Sequence, residues 1–176
     1  MVKKQYIKKE NNIMKYIKNF RLFENEETSW KKFYDDEEDV FLVNEETTPD
    51  ELESELENYV DGLHDYGSGD SLVRKCCDIM RDSILFVRNE EGELGDTGKE
   101  EDYADKMYDE LERRFTDDYS TNRNEYGEGT TSGILKLDGR PVFEYESHDD
   151  GYGFGGELSN VDHILSIMLD LSQREL

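Results

Sequence analysis

The chain reads as an α+β domain with a small, mostly antiparallel sheet, a hairpin in its C-terminal half and about four to five flanking helices. Three observations predict this. Apolar stripes recur at helical spacing, the strand-like runs between them are short, and Asp138-Gly139 joins two such runs as a hairpin turn. A length of 176 residues suffices for one buried core. Only 34% of residues are hydrophobic against 38% charged, yet eight Phe, eleven Tyr and one Trp argue for a folded body with acidic loops rather than a disordered chain.

Residues 1–23 form a basic amphipathic segment and residues 24–176 a single acidic domain. In the first, Ile13, Tyr16, Ile17, Phe20 and Phe23 fall on one helical face with Lys15 and Lys18 opposite. Such a face packs on a core more often than it docks on a membrane surface or a partner. Val40-Phe41-Leu42-Val43 follows an acid run and reads as a short buried strand. Thr48, Pro49 and Glu51 spell a capping box with proline in the first turn, opening a helix whose inward stripe is Leu52, Leu56, Tyr59, Val60 and Leu63.

After the break at Gly67-Ser68-Gly69, a second helix begins near Asp70 or Ser71 and turns Leu72, Val73, Cys76, Cys77 and Met80 inward. The composition of Ile84-Leu85-Phe86-Val87 favours a strand. Residues 89–99 read as a loop, and a third helix is expected over Glu100–Phe115. Residues 117–133 are polar and turn-rich, which predicts a mobile loop. Ile134–Leu137 and Val142–Tyr145 then make the hairpin. A two-residue turn would set Leu135 across from Val142, and a longer one would set it across from Phe143. Ser159 or Asn160 is expected to cap a last helix carrying Val161, Ile164, Leu165, Met168 and Leu171.

Tests for chemistry return little. Gly151 to Gly156 holds a literal G-x-G-x-x-G, but Glu157, Leu158 and Ser159 separate it from the next helix and Asp149 and Asp150 would repel a phosphate. The bland reading is a loop with aromatic tips, Tyr152 and Phe154. His64, His148 and His163 have no zinc-ligand spacing, and Asp65, Ser68 and Asp70 lack the alternation of an EF-hand. Cys76 and Cys77 are neighbours on an apolar face, so they read as packing and exclude a disulfide framework. No cofactor or metal is implied. His148, Asp149 and Asp150 are the best place for metal-assisted chemistry, and the alternative to a binding protein is a small metal-dependent or hydrolytic enzyme built around the loop from His148 to Gly156.

Charge is the stronger signal. The chain carries −24, and residues 1–23 hold seven bases against Glu10, a net of +6, so the remainder carries −30. Such a body repels nucleic-acid phosphates and anionic lipid and attracts basic surfaces. No run approaches a membrane span, and the N-terminal segment resembles neither a secretory signal nor a transit peptide, so the cytoplasm is the expected compartment. The candidate partner-binding residues are Asp35, Asp36, Glu37, Glu38 and Asp39, and the helical acids Glu101, Asp105, Asp109 and Glu112. Carboxylates four residues apart on a helix lie about 6 Å apart, within a factor of two of phosphate spacing. The expectation is a non-enzymatic protein that binds a basic partner, such as a nucleic-acid-binding host or defence protein, by mimicking nucleic-acid charge. The bland alternative is acidity for solubility alone, and a third reading is an assembly module docked through residues 13–23.

The segment Met14-Lys15-Tyr16-Ile17-Lys18-Asn19-Phe20-Arg21-Leu22-Phe23-Glu24 resembles the opening of small accessory proteins of tailed bacteriophages, with Met14 as an alternative start. The resemblance covers about a dozen residues. It implies a setting in which small acidic proteins antagonise host nucleases or restriction systems.

Overall fold

A computed structural model describes residues 40–63, 67–90, 99–148 and 153–174. The chain divides into two units, 1–41 and 42–176, and the fold that follows is that of the second. Four helices and a four-stranded antiparallel sheet make it up: α1 (Pro49–Gly62), α2 (Gly69–Glu90), α3 (Lys99–Arg114), β1 (Phe115–Arg123), β2 (Gly129–Leu137), β3 (Arg140–His148), β4 (Phe154–Leu158) and α4 (Val161–Ser172). The sheet is a meander in the order β1-β2-β3-β4. Residues 1–39, with the basic amphipathic segment and the acids Asp35, Asp36, Glu37, Glu38 and Asp39, lie outside the described residues.

Local chemistry starts α1 as expected. Thr48 caps it, its Oγ1 accepting from Glu51 N while Glu51 Oε2 accepts from Thr48 N at 2.8 Å, and Pro49 fills the first helical position. The stripe Leu52, Leu56 and Val60 is buried, and α1 packs on α4 and β4. Helix α4 buries Val161, Ile164, Leu165, Ile167, Met168 and Leu171, and touches all three other helices.

Several expectations are corrected. Residues 40–44 form no strand. Leu42 and Val43 are buried, and the Val43 N–H donates to Ser83 Oγ at 2.9 Å, so a side chain rather than a neighbouring strand satisfies this backbone. Ile84–Val87 is helical, because α2 runs on to Glu90 with Ile84 extending the buried row of Cys76 and Met80 at four-residue intervals. Packing along one helical face there outweighs the β propensity of the composition. The third helix stops at Arg114, and Phe115 opens β1.

Residues 117–133, expected as a loop, are most of β1 and the start of β2, paired without interruption from Phe115↔Leu137 to Arg123↔Gly129. Their polarity misleads because this hairpin is largely exposed and so carries no apolar alternation. Its turn is ordered by Asn124, whose Oδ1 accepts from Tyr126 N and Glu128 N, with Gly127 at φ +85°.

The β2–β3 turn is tight, with Asp138 at φ +48° and Gly139 at φ +79° as a type I′ hairpin requires. Leu135 nevertheless lies opposite Phe143, because the register shifts beyond Lys136↔Pro141 and makes Val142 an extra residue. Pro141 has no N–H to give a ladder, and its carbonyl accepts from Ser159 Oγ and Asn160 Nδ2. Those two side chains are therefore not capping α4. Asn160 stands at the cap position in the left-handed region without a side-chain cap bond.

One face of the sheet packs on the helices. Leu135, Leu137, Phe143 and Tyr145 are buried there, and the Phe143, Tyr145 and Phe154 rings cluster with centroids 5.7–6.0 Å apart. The Tyr145 ring occupies the space a side chain at Gly133 would need, and the Phe143 ring does the same at Gly156. Phe154 is thus half-buried in β4, not a loop tip, and Gly155-Gly156 sit in a strand rather than in a phosphate loop.

Candidate functional site

Two acidic surfaces stand out on this framework. The first is the helical stripe foreseen in the sequence. Helix α3 buries Tyr103, Ala104 and Leu111, so the spacing of Glu101, Asp105, Asp109 and Glu112 brings all four onto one exposed strip. Its neighbour α2 adds Asp78, whose charge acts on the Cys77 thiol together with those of Glu112 and Asp109. Burial, followed by the charge of Asp78, raises the Asp82 carboxyl above its usual range, with Arg81 and Lys75 pulling the other way. The stripe is partly neutralised: Arg81 Nε donates to Asp105 Oδ1 at 2.9 Å, and Arg113 lies 3.8 Å from Asp109. Such exposed pairs are weak. Glu110 points away and is held by Arg114 at 3.2 Å and Arg174 at 2.7 Å.

The second surface is the face of the sheet turned from the helices. Strand pairing sets Asp118, Ile134, Glu144 and Glu157 in one row across all four strands, and Ser120, Ser132, Glu146 and Gly155 in the next. Glu144 and Glu157 are direct cross-strand neighbours, a pairing that repels. Ile134 lies between Asp118 and Glu144 and is 37% exposed. Lys136 pairs with Asp118, and His148 Nε2 lies 3.1 Å from Glu146 Oε1. Over this face runs a broad open hollow of about 920 Å³, lined among others by Asp118, Ile134, Glu144, Glu146 and Glu157.

This second group escaped the sequence reading, though half of its signal was present. Glu144 and Glu146 alternate with buried Phe143 and Tyr145, the period-two pattern of a sheet with one wet face. Asp118 and Glu157 were hidden because their segments read as loops.

Of the alternative chemical centre at residues 148–156, His148 and residues 153–156 are described. His148 is engaged at both ring nitrogens, Nδ1 with Thr130 Oγ1 at 3.0 Å and Nε2 with Glu146, and Asp149 and Asp150 lie outside the described residues. His163 Nε2 is 3.1 Å from the Leu137 carbonyl. No group of three His, Cys, Asp or Glu among the described residues is placed to hold a metal ion. Cys76 and Cys77 are buried, and desolvation pushes the Cys76 thiol up to about 12, which leaves it protonated and a poor nucleophile. No helix among the described residues is long and apolar enough to cross a membrane. Comparison of the chain with protein-family models, curated proteins and solved structures found no match.

Proposed function

We propose that this protein is a non-enzymatic binding protein whose acidic surfaces hold a basic protein partner and compete with the polyanion that partner would otherwise take. The observation that carries the reading is the open row Asp118, Ile134, Glu144 and Glu157. Folding is opposed by the Glu144/Glu157 repulsion, and a partner's Lys or Arg seated between them would relieve it. Ile134 offers the row an apolar centre on which the aliphatic stem of that cation can lie.

Carboxylates two residues apart on a strand, as Glu144 and Glu146 are, stand about 6.8 Å from each other. That is within about a factor of two of phosphate spacing along one nucleic-acid strand, which supports the nucleic-acid-mimic form of the reading. The phage-like opening of the chain fits an inhibitor of a host or defence protein. The α3 stripe is the second contact surface.

The test is affinity for a panel of basic nucleic-acid-binding proteins. Between about 50 and about 200 mM salt, binding is expected to weaken by an order of magnitude or more. Reversing Glu144 and Glu157 to Lys, or Glu101, Asp105, Asp109 and Glu112 to Lys, weakens it further at low salt. Salt-independent affinity that both reversals leave untouched would show that charge is not what the partner reads.

A further inference from the structure

The edge of the sheet at β1 carries a second kind of information, held in its backbone. Just before the first pair of the β1–β2 ladder, Asp138 N donates to the Arg114 carbonyl at 3.0 Å. Just after the last, Asn124 N donates to the Glu128 carbonyl at 2.8 Å. Bonded and unbonded pairs alternate in an antiparallel ladder, and this one has no bulge. Thr116, Asp118, Ser120 and Asn122 therefore bond to β2, while Asp117, Tyr119 and Thr121 turn their N–H and C=O groups to the outer edge. Among the described residues, nothing bonds those groups at Tyr119 or Thr121.

An edge of this kind usually carries protection in the form of shortness, Lys, Pro, a bulge or a covering element. β1 is nine residues long with no Lys or Pro, and it is exposed from Asp118 to Arg123, Tyr119 being 67% accessible. Its charged guards are Asp117, turned inward and bonded by the Tyr145 hydroxyl at 2.7 Å, Asp118 and, at the far end, Arg123, which leaves the stretch Tyr119–Asn122 without one. The other edge, β4, has five residues, two of them glycine.

We infer that β1 is a strand-addition site, at which an extended basic segment of a partner protein pairs with the outward backbone groups of Tyr119 and Thr121. The inference rests on the acidic-binder reading and gives it a docking mode. Charge selects the occupant: β1 and its turn carry Asp117, Asp118, Glu125 and Glu128 against Arg123. A second copy of a chain carrying −24 is repelled. An added strand would lie about 4.8 Å from β1 and continue the open acidic face, its alternate side chains standing beside Asp118 and Ser120.

The probe is a short peptide of alternating Lys and Val, added to the full chain. Amide hydrogen exchange at Tyr119 and Thr121 is expected to slow on binding, while that of ladder-bonded Ser120 changes little. Methylating the peptide's backbone nitrogens at alternate residues, in either phase, gives one form that binds about tenfold or more weakly, as loss of about two hydrogen bonds requires. Thr121→Pro removes an outward N–H, spares the ladder and is expected to weaken binding similarly. Should that variant misfold, the methylated peptides still decide.

Equal binding of the parent peptide and both methylated forms, or peptide binding that leaves exchange at Tyr119 and Thr121 unchanged, overturns strand addition and leaves the acidic-binder reading standing. No binding at low salt, or binding indifferent to salt, removes that reading itself. Protection of Tyr119 and Thr121 that grows with protein concentration, without peptide, assigns the edge to a second copy and overturns the basic-segment inference.

Discussion

Replacing Glu157 by Lys separates folding from binding at the open sheet face. Direct cross-strand partners have Cβ atoms about 5 Å apart, and Glu144 and Glu157 are such a pair, both exposed. Two like charges at about 5 Å in water repel by about 0.8 kcal/mol before screening. Turning that repulsion into an attraction of similar size gives a gain of roughly 1 kcal/mol once salt and side-chain freedom are discounted. For a domain of this size that is a rise of about 4 °C in Tm. Thermal unfolding followed by circular dichroism at low salt is expected to show it, with the gain shrinking as salt is added. Glu157→Gln should recover about half of the gain, because it removes the repulsion without adding an attraction. The same Lys variant should bind a basic partner more weakly, so that stability and affinity move in opposite directions. An unchanged or lowered Tm at low salt would falsify the claim that this row of carboxylates opposes folding.

Three further outcomes follow from buried polar groups. Ser83→Ala leaves the buried Val43 N–H without its acceptor and is expected to lower stability by about 2 kcal/mol in urea unfolding; a change within about 0.5 kcal/mol would mean that the 42–43 segment is not held through this bond. Tyr145→Phe strips the Asp117 carboxylate of the hydroxyl bonded to Oδ2, while Oδ1 is already buried with no partner among the described residues. A loss of about 2 kcal/mol is expected, together with a double-mutant cycle in which Tyr145→Phe and Asp117→Ala are less than additive; full additivity would deny the coupling. Asp82, raised chiefly by burial, binds its proton more tightly in the folded state. Its charged form therefore opposes folding at neutral pH, and the penalty fades as pH falls through the folded pKa toward the ordinary carboxylate value. Asp82→Asn is accordingly expected to stabilise the protein at pH 7 and to make no difference at acid pH, and a stabilisation that persists unchanged in acid would contradict this.

Helix starts and turns were legible in the chain wherever a few adjacent residues settle them. Thr48, Pro49 and Glu51 satisfy one another's backbone groups locally, and Asp138-Gly139 adopt positive φ because they tolerate it best. The widest apolar stripe, that of α4, could only be a core helix, and the strip of acids on α3 follows from spacing alone.

What the amino-acid order did not determine depends on distant partners. Ile84–Val87 is helical because Ile84 completes a buried row begun at Cys76, against the segment's own β preference. β1 has no alternation to advertise it and exists because it pairs with β2. The extra residue at Val142, which sets the register of Leu135 against Phe143, accompanies the contact between the Pro141 carbonyl and Ser159 and Asn160. The acidic row is of this second kind: Asp118, Glu144 and Glu157 lie up to 39 positions apart, and only strand pairing makes them neighbours. Local propensities act over one turn of backbone, whereas the position of a charge on a surface is decided by the packing of the whole domain.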